Sequence, residues 1–203
     1  ILRLANEPFI VIPGDTVYVN IVNSEGEPTL SFEGPKHLEH SFLIRLNEKL
    51  GRFMNDNYLI GENPFEKYKV AATFHFDSSL LFLENYFVKQ KTNESFQQTA
   101  KDFLTTQYYL NLIYPVGTTR KENVPPGYFD TVDKDFFRKM NLLGFREFIL
   151  LASYYNNFLS LASSFDGYYD SAAVGARINS ANVNFEGEVK DHWIGKTVIH
   201  SDH

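Results

Sequence analysis

The chain has 203 residues, 43% of them hydrophobic and 22% charged, enough for one large globular domain or two small ones. Its formal net charge is −6 and its longest basic cluster is Arg120-Lys121, which argues against a nucleic-acid backbone as partner. No apolar run reaches the roughly 18 residues of a transmembrane helix, and the absence of cysteine excludes disulfides and thiol chemistry within these residues.

The chain opens on Ile1 without Met, already in the pattern of a strand. The first strands of its N-terminal sheet are therefore expected upstream of Ile1, and the missing secretory signal says nothing about compartment. In "TVYVNIV", Val17, Val19 and Ile21 alternate with Thr16, Tyr18 and Asn20, the period of a half-buried strand. Before it, "FIVIPGD" is a short apolar run closed by Pro13-Gly14, a turn signal. "NSEGEP" predicts a second turn, and Leu30–Phe32 a further strand. Residues 1–34 thus read as a small antiparallel sheet.

The period then changes. Leu38, Phe42, Leu46, Leu50 and Phe53 recur at helical spacing, with Gly34-Pro35 at the opening and Gly51 weakening the end. Residues 64–91 are expected to be helical, most clearly over "SSLLFLENYFVKQK". "TNESFQQTAKDFLTTQYYLNLIYPV" predicts another helix, with Asn93 as N-cap, Phe96, Ala100, Phe103, Leu104 and Leu110 on or near one face, and Pro115 at the exit. Pro125-Pro126-Gly127 breaks the chain. "DKDFFRKMNLLG" is a short helix candidate, and "FREFILLASYYNNFLSLASSF" the central helix of the layer. Residues 35–170 are thus read as a helical domain. Residues 171–203 return to a β-type pattern.

Candidate chemistry is sparse. His37 and His40 flank Glu39 at a spacing that chelates a metal only with further ligands, and "HLEH" is one residue short of HExxH. A solvated helix face is the expectation, with no metal site. His75, Asp77 and Ser78 in "HFDSS" lack a nucleophile elbow. His200, Asp202 and His203 form a dense tail. Glu84, Asp102, Asp130, Asp133, Asp135, Glu147 and Asp166 are scattered, and none is singled out as half of an acid–base pair. "DTVDKD" reads as a helix start, where acids suit the dipole. "VGARINSANVNFEG" has glycines without a phosphate-loop spacing. The aromatic share is 16%, with 19 Phe, 12 Tyr and one Trp, which predicts a Phe-rich core edged by Tyr. Tyr154-Tyr155 and "GYYDS" are the stretches that could instead stack a sugar or peptide. No catalytic residue and no cofactor is assigned.

Two regions carry a resemblance. "PFIVIPGDTVYVNIV…LSFEGPKHLEHSF" resembles the β-rich leader domain of TlpA-like thiol–disulfide oxidoreductases from the cell envelope of Bacteroidetes, in which a "PGD" turn precedes an alternating strand and an "F-x-G" strand leads into a helix. Here those residues are Pro13-Gly14-Asp15 and Phe32-Glu33-Gly34. In that family a helical segment follows, then a thioredoxin-like domain. "VGARINSANVNFEGEVKDHWIGKTVIH" resembles the opening of that domain through Val174-Gly175, Ala181–Phe185, Gly187, Gly195-Lys196 and Thr197–His200. Asn179 stands where the family has Pro, and "SDH" replaces its apolar lead-in to the cysteines.

The expected architecture is α+β: an antiparallel β leader over 1–34, a helical domain over 35–170, and an incomplete thioredoxin-like β segment over 171–203. The resemblance implies an envelope protein, periplasmic or a lipoprotein, whose C-x-x-C lies within about ten residues past His203, where a helix N-terminus activates the first thiol. These residues would position the redox domain or bind a partner or substrate protein. The alternative is a non-catalytic surface lipoprotein binding a glycan or peptide.

Overall fold

The computed structural model describes residues 1–4, 7–22, 29–53, 64–88, 93–118, 123–160 and 171–201. The class is α+β. Among the described residues there are four short strands, β1 (Leu2–Leu4), β2 (Glu7–Phe9), β3 (Tyr18–Val22) and β4 (Thr29–Glu33). Six α-helices follow: α1 (His37–Leu50), α2 (Pro64–Tyr86), α3 (Glu94–Ile113), α4 (Arg146–Leu159), α5 (Ser171–Asn184) and α6 (Gly187–Ser201). No described helix is long and apolar enough to cross a membrane. The chain divides into two compact units, Ile1–Met54 with Thr73–Thr105, and Asn55–Ala72 with Thr106–His203.

In the first unit the strands form two separate two-stranded antiparallel sheets, not the single sheet the turn signals suggested. β1 pairs with β2, and β3 with β4 in a register that sets Val19 opposite Phe32 and Ile21 opposite Leu30. Leu30 and Phe32 point into the core, while Thr29, Ser31 and Glu33 face out. β3 pairs with β4 alone among the described residues, so its other edge carries no strand. Phe9 and Phe32 meet at 5.1 Å beneath the sheets.

Gly34 ends β4 at φ +86°, a left-handed conformation that favours glycine. A Cβ there would also lie 2.9 Å from the Tyr18 ring. That ring is more than half exposed and can move aside, whereas the backbone strain stays. Gly34→Ala is expected to cost about 1 kcal/mol in urea unfolding followed by far-UV circular dichroism.

α1 buries Glu39, His40, Phe42, Leu43 and Leu46. Its inward face is thus turned from the Leu38–Leu50 stripe, and both of those leucines are only half-buried. The helix stops at Gly51, whose φ of +74° and N–H bond to the Asn47 carbonyl make it a C-cap. α3 starts as its sequence predicts: the Asn93 side chain accepts from the Ser95 amide at 2.9 Å.

In the second unit Asp133 caps a 3-10 turn over Lys134–Arg138 by accepting from the Asp135 amide, and a second such turn spans Met140–Gly144. Phe137 stacks on Tyr155 of α4 at 4.7 Å and an interplanar angle of 6°. It also meets Phe148 at 6.1 Å and Phe185 at 5.8 Å.

The C-terminal segment corrects the sequence reading. Residues 171–201 form the helices α5 and α6, not strands. The strand reading put Ala181, Val183 and Phe185 on one face, yet Val183 is 81% exposed while its two neighbours in that pattern are buried. The buried residues Arg177, Ala181, Phe185, Val189 and Trp193 recur every four positions, as one side of a helical hairpin requires. Gly187, at φ +54°, sits at the start of α6, immediately after the junction between the helices. Gly175 and Gly195, two of the positions that carried the resemblance to a thioredoxin-like opening, lie inside helices with open space where a Cβ would go. Gly195→Ala is therefore expected to stabilise the chain by about 0.5–1 kcal/mol in thermal unfolding. A loss of stability would restore the turn reading.

Candidate functional site

The densest polar arrangement in the first unit gathers at the Pro13-Gly14 turn. Gly14 takes φ +92°, and the turn closes through the Asp15 amide donating to the Ile12 carbonyl at 3.0 Å. In return the Ile12 amide donates to Asp15 Oδ2 at 3.0 Å. The other carboxylate oxygen, Oδ1, accepts from the Lys36 ammonium at the start of α1. His40 Nε2 stands 3.6 Å from Asp15 Oδ2, beyond hydrogen-bond reach. The Asp15 side chain is 3% exposed and that of His40 1%. The Phe32 ring covers His40 at 5.8 Å.

Burial alone would raise the Asp15 pKa. The bonds from Lys36 and Ile12, the Lys36 charge and the nearby His40 outweigh it and hold the carboxyl below its ordinary value. The same bond to Asp15 raises Lys36. The carboxylate and the imidazole are closed to solvent, the Lys36 side chain is part exposed, and the cluster holds no hydroxyl or thiol nucleophile. Its physical work is to clamp the turn to the helix, across 21 residues of sequence from Asp15 to Lys36.

The expected solvated "HLEH" face is corrected here. His37 is exposed, with Nδ1 2.8 Å from the Gly34 carbonyl, and Glu39 and His40 are buried. Glu39 Oε1 accepts from the Asn93 amide at 3.3 Å. No group of three or more potential metal ligands comes together among the described residues.

His75, Asp77 and Ser78 lie along one stretch of α2, where Asp77, two residues from His75 and one from Ser78, is turned away from both. His75 Nε2 reaches the Gly51 carbonyl at 3.1 Å, and its ring rests on Phe53 at 5.5 Å. Asp102 accepts from Gln98 at 3.0 Å, Asp135 pairs with Arg138 at 2.8 Å, and Asp133 is the cap described above. Glu84 is exposed on α2, Asp130 lies against Gly127, and Glu147 is buried on α4. The side chain of His200 lies outside the described residues, as do Asp166, Asp202, His203 and residues 167–170 of "GYYDS".

Among the described aromatic residues Phe74, Tyr18 and Tyr114 are exposed, against a buried majority of the rings that form the core clusters. Tyr68, Tyr108, Tyr109, Tyr128, Tyr155 and Trp193 are buried, and Tyr154 is half-exposed. Burial pushes the Tyr128 phenol far above its ordinary value, and Tyr68, Tyr108 and Glu66 add to it. In the first unit an open groove of about 370 Å³ is lined by Leu80, Leu83, Phe87, Gln97, Gln98 and Lys101. It contains no stacked pair of exposed rings.

Composition alone did not single out the clamp. Its one local signal was a carboxylate directly after a Pro-Gly turn, a position from which a side chain bonds nearby backbone. Comparison with models of known families, with curated proteins and with solved structures gives no match to this chain.

Proposed function

We propose that this chain is the non-catalytic N-terminal portion of a TlpA-like envelope thiol–disulfide oxidoreductase, where it positions a redox domain or binds a partner protein. One observation carries the reading. The Pro13-Gly14-Asp15 turn and the helix that follows Phe32-Glu33-Gly34, the two places on which the leader resemblance rests, are joined by the bond from Lys36 to Asp15. The long helical part after the strands also suits the helical segment of that family. The C-terminal part of the resemblance is set aside, because α5 and α6 replace its strands. No thiol chemistry falls to these residues, which include no cysteine. The glycan- or peptide-binding alternative keeps Tyr154, which is exposed, among the rings named for it, while Tyr155 is buried and the tyrosines of "GYYDS" lie outside the described residues.

The gene tests this. Its coding sequence past His203 is expected to encode a thioredoxin-like domain with a C-x-x-C, and the joined protein to reduce insulin disulfides. A stop codon directly after His203 removes the redox form of the proposal.

A further inference from the structure

We draw no further inference here: the strongest candidate, the open groove between α2 and α3 with Leu83 and Phe87 in its lining, carries none, because the carboxylates of Glu84 and Glu94 and the ammonium of Lys101 along it select no one ligand and nothing in the structure shows what covers it.

Discussion

Phe42→Ala is expected to lower the unfolding free energy by about 3–5 kcal/mol, the largest effect of any single substitution considered for the first unit. Phe42 is fully buried, and its ring meets Phe82 at 5.9 Å, Tyr86 at 5.6 Å, Phe87 at 5.9 Å and Phe96 at 6.1 Å. Those four rings come from α2, the turn after it and α3, so the vacated space lies where three segments meet α1. Rigid rings collapse poorly into a void, which places the cost at the upper end of the range for a large-to-small change. Urea unfolding gives the magnitude, and hydrogen exchange gives the place: the amides of α1 should lose protection. Trp193, the one tryptophan, belongs to the other unit. A loss under about 1 kcal/mol would show that the cluster does not hold the unit together.

The second large effect belongs to Asp15. Asp15→Asn keeps the shape and removes the charge that accepts from Lys36 and the Ile12 amide. The expected loss at pH 7 is about 2 kcal/mol, the usual size for a hydrogen bond to a buried charged group. The pH dependence has a definite sign. The folded state holds this carboxyl below its ordinary 3.8, so the folded protein keeps the proton off longer than the unfolded chain does. The stabilisation is complete above pH 3.8 and disappears as the pH falls through the lower folded value. Urea midpoints of the parent and Asp15→Asn should therefore draw together as the pH is lowered from 7 through and below 3.8. Asp135→Asn is the control: its side chain is 74% exposed, and its pair with Arg138 should count for little. Equal losses from the two substitutions would rule out a special role for the turn.

How much of this could be read in advance differs along the chain. Phe42 and Leu46 announced α1 by their spacing, and Asn93 and Asp133 announced the starts they cap, because capping and amphipathic periodicity are local. The C-terminal helices were misread because three glycines and a stretch of alternating residues outvoted a four-residue period. Helix packing against α4, through Arg177 and the asparagines Asn156 and Asn157, settled the matter in space. The clamp was less legible still. Asp15 and Lys36 are 21 residues apart, and the burial of His40 follows from how α1 is turned about its own axis, which a sequence pattern gives only to within a residue or so. Of catalytic chemistry there was little to read, and the described residues bring none of the predicted groups together.

Among the described residues no strand covers the outer edge of β3, and this has a practical consequence. Its residues Tyr18-Val19-Asn20-Ile21-Val22 include no charge and no proline, and three of them are more than half exposed. Soluble proteins usually guard such an edge with a lysine, a proline or a bulge. An unguarded one is a template for further strands, and during refolding or storage at high concentration this short segment is where fibrillar aggregates of the chain would nucleate.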